Sequence, residues 1–189
     1  MESYKILGID PGTNILGYAI LEVTGRQLAA KAFGVIHLEK FEEHHDKLKE
    51  IFLQLQEIIE TYQPKSMAVE APFYGKNVQS MLKLGRAQGV SMAAAITMGL
   101  TICEYAPKKV KQSITGNGNA SKEQVAAMLE NILKIKIETK YLDATDALGV
   151  AVCHYNQQGG MPGSVKKAKK TTSSWANFVK DNPGKVIGR

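Results

Sequence analysis

Two turn signals divide the first 38 residues into three apolar runs, and no other feature constrains the fold as much. Pro11-Gly12-Thr13-Asn14 separates residues 4–10 from 16–24, and Gly25-Arg26 separates the second run from 28–38. Short apolar runs bounded by turn residues read as strands. Connections this short join antiparallel neighbours, so the chain is predicted to open as a three-stranded meander.

The character then changes. Leu48, Ile51, Phe52, Leu55, Ile58, Ile59 and Tyr62 recur at helical spacing until Pro64 closes the segment. SMAVE reads as a short buried strand ending in Glu70, and APFYGKN as a loop leading into a helix over about 78–100. Gly85, Gly89 and Ala93 form a row of small residues on that helix, which suits a close helix contact within the fold or between subunits. A fifth strand is predicted over 100–105, then a basic segment, KKVKQ, after Pro107, then the loop ITGNGNAS. Ser121 with Glu123 and Gln124 marks a helix start, and that helix runs to about Leu133. Asp143 opens the last helix, DATDALGVAVCHY. A meander followed by strand–helix alternation predicts an α/β fold: a mixed five-stranded sheet with helices on both faces. The expected organisation is one domain over residues 1–157 and a basic, mobile tail over 158–189.

At 189 residues the chain is long enough to bury a core without disulfides, and Cys103 and Cys153 lack any paired-motif spacing. They read as reduced core thiols of a cytoplasmic protein. No apolar run approaches the roughly 20 residues that span a bilayer, and the N-terminus reads as a strand, not a signal peptide. The net charge is +6, and the last 24 residues supply all of it with seven basic residues against one acid. The body is polarised. Residues 39–60 hold seven acids against three lysines, whereas 71–122 hold Lys76, Lys83, Arg86, Lys108, Lys109, Lys111 and Lys122 against Glu104 alone. Such an asymmetry suggests one face for a polyanion, although charged residues also simply solvate a surface.

Four acids share one description. Asp10 ends the first strand, Glu70 ends the fourth, and Asp143 and Asp146 lie three apart at the start of the last helix, on one side of it. Taken singly, each fits a plain role: a turn residue, a solvated strand end, or helix-start acids that favour the dipole. Parallel pairing of strands one and four would bring Asp10 beside Glu70, and the last helix packed across that end would complete the set. Four carboxylates together resist ionisation unless a divalent ion joins them. Magnesium and manganese take oxygen ligands, and two such ions about 4 Å apart can drive phosphodiester displacement.

GIDPGT, AVEAPFYGKNVQSMLKLGRAQGV, YAPKKVKQSITGNGNASKEQV and DATDALGVAVCHY together resemble RuvC, the bacterial Holliday junction resolvase family, in order and spacing over about residues 4–155. The resemblance implies a ribonuclease H-like fold, a homodimer, and magnesium-dependent cutting of two symmetry-related strands at a four-way junction. It puts the catalytic, metal-holding tetrad on Asp10, Glu70, Asp143 and Asp146, the junction-stacking aromatic on Phe73, and DNA-contacting lysines on Lys111 and Lys122. It also implies a branch-migration complex of RuvA with RuvB as partner. The residues themselves agree. Phe73 and Tyr74 sit in a loop where an aromatic can stack on an unpaired base. Lys111 and Lys122 flank the Gly-rich loop and can hold a phosphate. Lys76 and Asn77 open a helix whose N–H groups can do the same, and Lys83 and Arg86 extend the basic stretch.

The expected mechanism has Asp10 bridging two Mg2+ ions per subunit, Mn2+ substituting, with Glu70 on one side and Asp143 and Asp146 on the other. In-line hydrolysis would leave a 5′ phosphate and a 3′ hydroxyl. Two other classes compete. An actin-like ATP-binding protein shares a GIDPGT-like opening, but it needs two such domains and a second Asp-x-Gly phosphate motif. A junction-binding module without catalysis would not need the intact acid set. The tail from Lys166, with KKAKK and Trp175, reads as a DNA-binding arm or a solubilising extension.

Overall fold

The computed structural model describes residues 2–72, 77–137 and 142–158. The meander forms as predicted: β1 (Ser3–Asp10), β2 (Ile15–Thr24) and β3 (Gln27–His37) pair antiparallel in sequence. Gly25 sits at φ 61°, which lets the second turn close tightly. The helix α1 (His44–Tyr62) carries the chain across the sheet to β4 (Ser66–Glu70), which runs parallel beside β1. After α2 (Val78–Thr97), β5 (Thr101–Tyr105) adds parallel to β4. The sheet order is β3-β2-β1-β4-β5, so β1 and β4 are interior neighbours with the parallel pairing that brings Asp10 and Glu70 to one sheet end.

Among the described residues, five helices cover the two faces. On one, α1 and α2 pack over Leu7, Ile9, Leu16, Ile20, Met67 and Val69; Ile51, Leu55 and Ile59 of α1 are buried there. Each such side chain removed from water contributes about 1.5–3 kcal/mol. On the other face lie α3 (Pro107–Thr115), α4 (Lys122–Leu133) and α5 (Leu142–Gln157), over Ile6, Ala19, Leu21, Val23 and Ala68.

The helix α3 departs from the sequence reading, which treats KKVKQ only as a basic segment. Pro107 occupies the first turn of α3, where its missing N–H costs nothing. Val110 and Ile114, four residues apart, are the buried pair that docks α3 beside α5. Ser121 starts α4 as predicted and forms a full capping box with Gln124.

The helix α5 is apolar nearly all round and buried from Ala144 to His154 except at Asp146. Its far end is tied to the sheet by His154. One ring nitrogen of His154 is hydrogen-bonded to Tyr105 Oη at 2.8 Å and the other to Ser66 Oγ at 3.1 Å. Burial holds the imidazole below its usual pKa, so it serves as a neutral hydrogen-bonding group. Both cysteines are free. Among the described residues, no helix is long and apolar enough to cross a membrane.

Candidate active site

Strand alternation decides which side each acid faces. Leu7 and Ile9 pack under α1 and α2, while Ile6 belongs to the opposite core with α5. Gly8 and Asp10 continue that second series, so Asp10 turns toward α5. In β4, Met67 and Val69 face α1 and α2 and Ala68 faces α5, so Glu70 shares the side of Asp10. Ile9 is opposite Val69 in the parallel register, which sets Asp10 and Glu70 at the same sheet end.

Two glycines let α5 reach them. A Cβ at Gly8 would collide with the backbone oxygen of Ala147, and a Cβ at Gly17 with that of Asp143. Gly17 pairs directly with Asp10. The first turn of α5 therefore lies against the backbone of the strands that carry the site. The sequence reading names neither glycine. Their signal is a small residue interrupting each of two otherwise bulky strands, LGID and LGY.

Carboxylate oxygens of Asp10, Asp143 and Asp146 lie within 4.8 Å of one another. Glu70 is outside that tight group but lines the same cleft, of about 300 Å³, with Asp10, Asp146, Lys111 and Lys122. Burial is the largest cause that pushes the Asp10 carboxyl up to about 8, followed by the charges of Glu70, Asp146 and Asp143, with Lys122 opposing. Burial and then Asp146 push Glu70 up to about 7, against Lys122 and Lys111. Acids that resist ionisation this strongly, converging with oxygen-only donors, fit a hard divalent cation, which removes the repulsion.

Two lysines complete the cleft. Lys111 of α3 donates its ammonium to the backbone oxygen of Ala120 at 2.8 Å, tying α3 to the start of α4. Lys122, the first residue of α4, pairs with Asp146. Burial lowers the Lys122 pKa, but the hydrogen bond to Asp146 and the charges of Asp146, Asp10 and Asp143 outweigh it and hold the ammonium above its usual range.

The remaining sequence candidates are spread wider. Asn77 caps α2, its side-chain oxygen accepting from Ser80 N at 3.0 Å. Lys83 and Arg86 are exposed on α2, and Lys83 lines a small cavity with Thr13, Asn14, Glu42, His44 and Lys47. Phe73, Tyr74 and Lys76 lie outside the described residues, as do the KKAKK segment and Trp175.

A ribonuclease H-like sheet with a carboxylate cluster between the end of β1 and the start of α5 defines a class: metal-dependent nucleases that hydrolyse phosphodiesters. Within that class, the family model for crossover junction endodeoxyribonuclease RuvC matches residues 6–154, and the chain belongs to this family. It is 60% identical over 181 residues to the crossover junction endodeoxyribonuclease RuvC of Cytophaga hutchinsonii, covering 96% of this chain and 87% of that one. It is 52% identical to the RuvC of Porphyromonas gingivalis, covering 96% of each chain. Among solved structures, Thermus thermophilus RuvC in complex with a Holliday junction substrate superposes with a TM-score of 0.76 at 30% identity, over 82% of this chain and 96% of that one.

Proposed function

We propose that Asp10, Glu70, Asp143 and Asp146 are the residues with which this member of the RuvC family cuts Holliday junctions by paired, symmetric nicks. The convergence of the Asp10, Asp143 and Asp146 oxygens within 4.8 Å, with Asp10 and Asp146 lining a cleft beside two lysines, carries the reading. The four acids would hold Mg2+, two ions per subunit, with Mn2+ able to substitute. Bound there, the ions would supply Lewis-acid activation of the phosphodiester and of the attacking water. Asp10 and Glu70 would hold those ions from the ends of β1 and β4, and Asp143 and Asp146 from the start of α5. Lys111 and Lys122 hold the scissile phosphate and offset its growing negative charge. Asn77, Lys83 and Arg86 would extend the contact along the DNA backbone through α2, with Lys76 beside them, and Phe73 with Tyr74 would stack on an unpaired base.

The enzyme would work as a homodimer, because two symmetry-related strands need two sites. Val78, Leu82 and Ile96 stand exposed on α2 at 64%, 52% and 62%, in line with the open row of Gly85, Gly89 and Ala93. Among the described residues, none comes within reach of a Cβ added at Gly85 or Gly89, which suits that face to a second copy. A branch-migration complex of RuvA with RuvB would deliver the junction. The nuclease domain would span residues 1–157, with 158–189 as a basic tail. A bacterial DNA enzyme with two free thiols would work in the cytoplasm.

Incubating the protein with a labelled four-way junction, in magnesium or in chelator, tests the activity. Symmetric cuts with magnesium alone are expected. Asp10→Asn should lose cutting by about a hundredfold to a thousandfold, on the scale set by removing one preorganised electrostatic group, while still binding the junction. An Asp10→Asn protein that nicked at the normal rate would remove Asp10 from the mechanism.

A further inference from the structure

One contact in the cleft has a consequence for how metal and DNA bind together. Lys122 pairs with Asp146, and Asp146 is also one of the three acids whose oxygens converge. The side chain of Lys122 is 52% exposed, while its backbone forms the first helical position of α4, between Ser121 and Gln124 of the capping box. Its root is therefore fixed and its ammonium can swing. Lys111 differs: its ammonium is tied to the Ala120 carbonyl.

We propose that Lys122 exchanges between Asp146 and the DNA phosphate, competing with the divalent ion for Asp146. This rests on the reading of the acids as metal ligands. An ammonium and a divalent ion cannot both satisfy one carboxylate in full, so an arriving ion displaces Lys122 into the cleft. The cleft is where a scissile phosphate would sit, and the freed ammonium finds its second partner there. Occupation by DNA in turn keeps Lys122 off Asp146 and favours the ion. Metal and junction therefore bind cooperatively, and the coupling is reciprocal as linkage requires.

The test uses the full chain and Mn2+, with binding read by electron paramagnetic resonance in the absence of DNA. Lys122→Met keeps the stem and removes the charge, and it should bind Mn2+ about threefold to tenfold more tightly than wild type, the span of a partly exposed to partly buried ion pair. Lys122→Arg should stay near wild type. In an Asp146→Asn background the same Lys122→Met change should have little effect, because the shared partner is gone; a double-mutant cycle isolates that coupling. A second readout compares junction affinity in Ca2+ and in chelator: the ion should strengthen wild-type binding and do so far less in Lys122→Met. Unchanged Mn2+ affinity in Lys122→Met, or equal tightening in both backgrounds, overturns the proposal. If that happens while wild type still cuts a junction with magnesium, the nuclease reading stands without it. A wild type that bound no Mn2+ and cut nothing would overturn both.

Discussion

Asp10 alone is an acid between an apolar strand and a Pro-Gly turn, and its neighbours change its chemistry. Burial and three nearby carboxylates push it up to about 8, and burial with Asp146 pushes Glu70 up to about 7. The sign of the stability effect follows. Both folded-state values lie above those of the unfolded chain, so the folded protein holds extra protons between roughly pH 4 and pH 8. Their contribution is fully present below the unfolded pKa and is lost as pH rises through the folded values. In chelator, the melting temperature should therefore fall from pH 5 to pH 8. Saturating Mg2+ should flatten that slope, since the ion replaces the protons, and Asp10→Asn should flatten it without metal. A melting temperature that did not depend on pH in chelator would contradict the assigned burial of these charges. The parity that turns Asp10 and Glu70 to one side is legible in the alternation of β1 and β4. The proximity of Asp143 and Asp146 is not, because no local pattern states how α5 lies on the sheet.

At the scale of elements, α5 is the piece that completes the site. It lies against β1 and β2 closely enough that only glycine fits at Gly8 and Gly17. Replacing Gly17 by Ala should cost about 1–3 kcal/mol, as overpacking a fitted contact does, readable as a lower denaturant midpoint. Because the clash falls on the backbone of Asp143, the same variant should also bind Mn2+ more weakly. A loss of stability with unchanged Mn2+ affinity would show that α5 moves without carrying Asp143. The helix α3 illustrates the opposite difficulty. KKVKQ reads as a charge run because three of its five residues are lysines, yet Val110 and Ile114 at one helical turn's spacing bury it. Charge dominates the composition there, and two apolar positions decide the structure. For α4, the Ser121–Gln124 box made the helix start readable, since capping is a local interaction.

At the scale of the molecule, the open question is assembly. Leu82 and Ile96 on α2 are large, apolar and exposed. If that face joins two copies, Leu82→Glu with Ile96→Glu should give a monomer by sedimentation equilibrium, with a thermal midpoint close to wild type at low protein concentration. Such a monomer should nick single strands of a junction in place of making paired cuts. A variant that remained a dimer would move the contact elsewhere. The sequence by itself determined the meander, the strand–helix alternation and the family, and singled out the four acids as candidates, because turns, periodicity, caps and motifs are local and survive in one dimension. Only the tertiary structure decided that α3 is a helix, that Glu70 stands slightly apart from the other three acids, that Lys122 pairs with Asp146, and that two glycines admit α5. Those depend on which surfaces meet, and a contact between separate segments, whether Lys122 with Asp146 or Gly8 with Ala147, leaves no periodic trace in either.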